Sequence, residues 1–291
     1  MRLSALVSGM VTALVASAAL ALPGTVASAS PVPADGAVAS GALGQGNVES
    51  TTVPFDRKGY WPLESAPGGA SPNIQSSGTS PGQPLRLRGA AHLYHPADVF
   101  DDSALTDSGH LTLNGTTDWA DTDNPVLSGA TSYTLGVRVR PNLLDPTRSQ
   151  TVLSVPGQYK DRVAIRYEGT TQKWQLSVTT ADSPTAETVT ITADEQFPSA
   201  DGSGQHLAVV YNAVTQELRF HVDGSQWTAP GVTVSGNAPL PSTGGLQVGR
   251  SAQGGGSEYL AGAIDEVRAY AQAVDAITLS RMSALTGDPS L

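Results

Sequence analysis

Carboxylates are the first candidates for chemistry, and they occur as two adjacent pairs, Asp194-Glu195 and Asp265-Glu266. Hydrolysis of a glycosidic bond needs two carboxyl groups facing each other across it, about 5–10 Å apart. Neighbouring side chains of a regular strand point to opposite faces, so neither pair can present both acids to one cleft. The five histidines are scattered, without the H-x-H or H-E-x-x-H spacing of a zinc site. His206 opens an apolar run with no acid nearby in sequence to orient it, and reads as a packed or orienting imidazole rather than a base. Gly202-Ser203-Gly204 falls in a loop and does not form the G-x-S-x-G elbow of a serine hydrolase. Cysteine is absent, which excludes thiol catalysis, cysteine-bound zinc and haem attachment.

Binding is the other chemistry to test, because aromatic rings in loops can stack on the apolar faces of sugars. Trp227 lies just beyond Asp223-Gly224, Tyr259 follows Gly254-Gly255-Gly256-Ser257, and Tyr159 sits in the loop 157–161. These three are the expected ligand-binding residues, although packing over a sheet edge would use them as well. Trp119 and Tyr94 belong to a less regular region, while Trp61 and Trp174 fall inside strands and are expected in the core. Acids outnumber bases 26 to 16, and only three of the sixteen are lysines. No basic footprint exists for nucleic acid or for an anionic membrane surface.

The elements that must position these residues are strands. Tyr133, Leu135, Val137 and Val139 alternate with Thr134, Gly136, Arg138 and Arg140. Residues 151–155, 162–167, 173–179 and 187–192 follow, each bounded by turn residues. Leu218, Phe220 and Val222 then alternate with Arg219, His221 and Asp223 before an Asp-Gly hairpin turn. Short strands at near-regular spacing predict an all-β, antiparallel sandwich. Asp275 can cap a short C-terminal helix that stacks Ala276, Leu279 and Met282, with Gly287 as its stop. Residues 89–110 are expected to be an irregular excursion.

Four motifs carry a resemblance. The order H-L-A-V-V-Y (206–211), L-R-F-H-V-D-G (218–224), L-Q-V-G-R (246–250) and G-A-I-D-E-V-R-A-Y (262–270) resembles the laminin-G-like domain in its bacterial secreted form. That domain belongs to the concanavalin A-like lectin/glucanase superfamily. The resemblance covers about residues 53–287 and implies a jelly-roll topology with a short C-terminal helix. Its glucanase members carry alternating acids on one strand, as E-x-D-x-x-E, and no such run exists here. It also implies a calcium ion, to which the Asp of the I-D-E-V-R strand contributes; here that is Asp265. Parity places Asp265 with Val267 and Ala269, and a carboxylate on an apolar face must be paired, hydrogen-bonded or metal-bound. Gln75 stands where relatives carry a loop acid, which would weaken such a site.

Residues 1–29 have the Arg2 n-region, apolar core and Ala27-Ser28-Ala29 end of a signal peptide. Residues 30–52 lack bulky side chains and are expected to be a flexible linker, and 288–291 a short tail. No sorting-type tail follows the last motif, so secretion into the medium is expected rather than anchoring or membrane insertion. The expectation is therefore a secreted, non-catalytic module that binds extracellular carbohydrate or glycoconjugate. A protein-interaction or adhesion module of the same fold is the alternative, and a glycoside hydrolase without a recognisable acidic motif the third.

Overall fold

The computed structural model describes residues 56–284, except 75–81, 97–103, 195–197, 227–230, 237–238 and 242. The expected signal peptide, linker, helix stop at Gly287 and tail, together with Gln75 and Trp227, lie outside the described residues. Two antiparallel sheets face each other. The nine-stranded sheet runs, in spatial order, Ser225–Gln226, Glu217–Val222, Gln205–Asn212, Tyr133–Pro141, Ala261–Tyr270, His110–Asn114 and His92–Tyr94. Arg57–Trp61 adds to Ala261–Tyr270, and Val232–Thr233 to Glu217–Val222. The eight-stranded sheet runs Thr188–Thr192, Lys173–Thr179, Asp161–Glu168, Gln150–Pro156, Gln247–Val248, Trp119–Asp121, Leu85–Arg88 and Ala70–Ser71. This is the expected all-β sandwich of the jelly-roll type.

Alternation explains the core. Leu135, Val137 and Val139 from one sheet meet Val163, Ile165, Tyr167, Trp174, Leu176 and Val178 from the other, all buried. Trp61 and Trp174 are fully buried, as their positions in strands predict. The Trp174 indole donates to Gln205 Oε1 at 2.8 Å, a hydrogen bond that runs from one sheet to the other. The Asp-Gly turn is seen where expected. Asp223 and Gly224 both have positive φ, 51° and 76°, so the two-residue hairpin twists with its strands.

The described part of the excursion contains a strand: His92–Tyr94 pairs with His110–Asn114 at the edge of the nine-stranded sheet. The helix Ala276–Ala284 starts as expected, with Thr278 N donating to Asp275 Oδ1 at 2.7 Å. Its inner face differs from expectation. Thr278, Leu279 and Met282 are buried, while Ala276 is exposed. Leu279 and Met282 pack with Ala208, Val210, Tyr270 and Val274 in a small second core on the outer face of that sheet.

Candidate functional site

Asp265 does not share a face with Val267 and Ala269. Asp265 pairs with Arg138 and Arg268 with Gly136, so Glu266 and Val267 together stand opposite Val137. This is a β-bulge, and Glu266 takes the left-handed conformation it requires, with φ 53°. The extra residue flips the parity. Ile264, Val267 and Ala269 enter the main core, while Asp265 turns outward beside Arg138, in the row that continues to His206.

There Asp265 is fully buried and both of its oxygens are engaged. Oδ2 accepts from Thr106 Oγ1 at 2.6 Å, and Oδ1 accepts from Glu266 N at 2.9 Å. Burial pushes its carboxyl up to about 8, and the neighbouring Glu266 carboxylate adds to the shift. Glu266 accepts from Tyr60 OH at 2.9 Å and pairs with the buried Arg268 guanidinium. His206 is pushed down to about 3 by burial and then by Arg268 and Arg138. His221 falls to about 4, again through burial. A calcium ion does not fit this setting. Both oxygens of Asp265 are already hydrogen-bonded, and the neighbour on the adjacent strand is the cationic Arg138 rather than a further oxygen ligand. Among the described residues no three of His, Cys, Asp or Glu are grouped to hold a metal.

A different arrangement occupies the outer face of the eight-stranded sheet. A groove of about 270 Å³ is floored by Thr151, Ala164, Arg166, Ser177, Thr179 and Thr188, and walled by Lys160, Asp161, Ser251, Gln253, Ser257 and Glu258. Register explains the floor. Ser154, Ala164, Ser177 and Thr190 form one cross-strand row, and Thr151, Arg166, Gln175 and Thr192 the next. A bulge after Thr151 keeps Thr151 and Ser154 on the same face.

The wall is built by a loop with unusual backbone. Gly254, Gly255 and Gly256 all have positive φ, and so does Glu258, at 48°. That strained position aims the Glu258 carboxylate at Arg166 Nη1, 3.0 Å away, and it also accepts from Thr151 Oγ1 at 2.7 Å. Arg166 forks to Glu168 as well. Asp161 accepts from Ser251 Oγ, and burial pushes its carboxyl upward.

Of the expected ligand-binding residues, Tyr159 and Tyr259 each adjoin a residue of the groove wall in sequence. Tyr159 is about half exposed, at 47%, directly before the wall residues Lys160 and Asp161. Tyr259 follows Glu258 and turns its ring edge-on to Trp119, at 6.1 Å between centroids. Arg250 lies 3.8 Å over the Trp119 ring and donates to Gln247 Oε1. Tyr259 is thus part of a packed pillar beside the groove. Sequence reasoning missed the floor, because serines and threonines carry no motif. The alternation of polar residues in Lys173–Thr179 and Thr188–Thr192 was its only signal.

A larger hollow of about 580 Å³ lies on the outer face of the other sheet. It is lined by Leu113, Pro141, Leu143, Leu144, Ala200 and Ala263 together with His110, Thr112, Asn142 and Arg140, and Arg140 donates to Gly202 O. Fewer polar groups converge there than in the groove.

Two facing antiparallel sheets with a C-terminal helix define a concanavalin A-like jelly roll. The family model of laminin-G type, described as the concanavalin A-like lectin/glucanases superfamily, matches residues 114–278, and the chain belongs to this family. No curated protein sequence matches. Among solved structures the chain is similar to domain 4 of AbnA, an extracellular GH43 arabinanase from Geobacillus stearothermophilus, in complex with arabinotriose. Identity is 13% and the TM-score 0.51, covering 79% of this chain and 98% of that one. The binding domain of Paraclostridial Mosquitocidal Protein 1 is 9% identical with a TM-score of 0.56, covering 78% and 52%. A Trypanosoma rangeli sialidase in complex with sialic acid is 15% identical with a TM-score of 0.54, covering 78% of this chain and 32% of the sialidase. At such identities the likeness is one of fold.

Proposed function

We propose that the chain is a secreted, non-catalytic module that binds extracellular carbohydrate in the groove of the eight-stranded sheet. The observation that carries this reading is the convergence of hydroxyl, amide and charged side chains in one concave polar site on a rigid sheet face. The likeness to an arabinanase domain in complex with arabinotriose supports the ligand class, as does the superfamily. Export rests on residues 1–29, whose composition is that of a signal peptide.

The state of the groove's acids supports a non-catalytic role. A glycosidase needs one carboxylate free to attack or to activate water, and one carboxyl poised over the leaving oxygen. Here Glu258 is held by Arg166 and Thr151, and Asp161 is tied to Ser251.

The test is a glycan array with the exported chain, beside an Ala164→Trp variant that fills the floor, and a reducing-sugar assay on every glycan bound. Glycan capture by the wild type, its loss in the variant and no sugar release are expected. Capture of a protein partner with no glycan bound would replace this reading with the adhesion module. Sugar release that an Asp161→Asn change abolishes would make the chain a hydrolase.

A further inference from the structure

We infer that the groove takes a neutral polysaccharide chain laid across the strands, rather than a uronic, sialylated or sulfated glycan. This inference rests on the carbohydrate-binding reading above and narrows its ligand class.

The first argument is charge. Two basic residues, Lys160 and Arg166, and two acidic ones, Asp161 and Glu258, line the groove. Arg166 and Glu258 are ion-paired to each other, Asp161 is hydrogen-bonded, and Lys160 is hydrogen-bonded to a backbone carbonyl without an ion pair among the described residues. Arg166 is shared between Glu258 and Glu168, and Lys160 Nζ donates to Ala186 O at 3.0 Å. Asp161 accepts from Ser251 Oγ, and burial shifts its carboxyl toward the neutral form. An anionic sugar would compete with Glu258 and Glu168 for the Nη atoms of Arg166, and parting Arg166 from Glu258 would leave a partly buried carboxylate without its counter-charge. A neutral sugar asks for no such exchange.

The second argument is the supply of free hydrogen-bonding groups. Ser177, Thr188 and Ser257 line the groove, and among the described residues none of their side chains makes a hydrogen bond to protein. Gln175, Thr190 and Thr192 extend the same face just beyond it. These are hydroxyls and an amide, donors and acceptors suited to sugar hydroxyls.

The third argument is direction. Ser177 stands between Ala164 and Thr190, and Gln175 between Arg166 and Thr192. The polar rows therefore run perpendicular to the strands. They cross from Gln150–Pro156 to Thr188–Thr192, which among the described residues pairs on one side only. Three inter-strand steps span roughly 14 Å, room for about three sugar rings. The outward side chains of Thr188 and Thr190 on that last strand are exposed, so a linear chain can run past it. Among the described residues no aromatic lines the groove, so recognition there works through hydroxyl groups rather than through ring stacking.

The experiment is calorimetric titration of the exported chain with neutral oligosaccharides (arabino-, xylo- and manno-hexaoses) and with acidic ones (oligogalacturonate, sialyllactose and a heparin hexasaccharide). Each is run at low and high salt, on the wild type and on Ser177→Tyr and Thr190→Arg, whose side chains point away from the core. At least one neutral hexaose is expected to bind, with Kd changing less than about twofold with salt because no ion pair forms with the ligand. Ser177→Tyr is expected to weaken it at least tenfold and Thr190→Arg severalfold, both at unchanged Tm. Preferential, salt-sensitive binding of an acidic glycan that Ser177→Tyr abolishes would overturn the neutral class and leave the groove standing. Binding that neither variant alters, or no binding by either class, would remove the groove itself and the inference with it.

Discussion

Asp265 is a carboxyl that the fold keeps protonated near neutrality, and its pH signature follows from its partners. Its value rises from about 3.8 unfolded to about 8 folded, so its contribution to stability is complete below the unfolded value and is lost as pH rises toward 8. His206 and His221 are displaced in the opposite sense, to about 3 and about 4. Their contribution is present above about 6.5 and is lost as pH falls toward those values. Below 6.5 these residues offset one another. Between 6.5 and 8 Asp265 continues alone. Stability should therefore fall across that window by about 2 kcal/mol for Asp265, or roughly 5 °C in Tm for a domain of this size. Asp265→Asn copies the protonated form. Its amide can donate to Thr106 and its oxygen can accept from Glu266 N, so its Tm should hold level from pH 6.5 to 8. Thermal melts across that range check it, and an equal decline in the variant would place the pH dependence elsewhere. Added calcium or chelator should leave Tm unmoved at this site, because a bound ion would stabilise by mass action.

At the scale of elements, most of the fold was legible because alternation is a two-residue signal and each sheet has one apolar face. Lys173–Thr179 has the same limits in sequence and in structure. Asp265 was misplaced because the bulge carries no glycine; Glu266 itself adopts the positive φ. The spacing nonetheless held the clue. Apolar residues at 264, 267 and 269 step by three and then by two, and a step of three inside a strand is what an extra residue produces. The groove was less legible, since it is assembled from four strands and a loop by register rather than by any local motif. The helix cap was legible, and it is open to test. Asp275 accepts from Thr278 N, so Asp275→Ala should cost about 1 kcal/mol. The Ala276–Ala284 helix covers Ala208, Val210 and Tyr270, and its Ser283 carbonyl accepts from Arg138. Hydrogen exchange should therefore quicken in the helix and in Gln205–Asn212 beneath it, while the groove on the other sheet keeps its protection.

The whole molecule is held without a disulfide, so the two sheets depend on their shared core and on the few polar contacts that cross it. Trp174 belongs to both. It is fully buried, meets Tyr167 edge-on at 6.2 Å and donates across the core to Gln205, whose oxygen also accepts from Ser199 N. Its strand also carries Gln175 and Ser177, which face the proposed ligand. Truncating it to alanine should remove about 3–5 kcal/mol, a large share of the roughly 5–15 kcal/mol available to a domain. Gln205→Leu should cost less, about 1–3 kcal/mol, by leaving the indole N–H and Ser199 N without an acceptor. Urea unfolding followed by circular dichroism and by tryptophan fluorescence measures both. One coincident transition, moved further by Trp174→Ala than by Gln205→Leu, is expected, since neither sheet can bury its apolar face alone. Two separated transitions would mean that the sheets hold structure independently. The ligand face would then depend on the eight-stranded sheet alone.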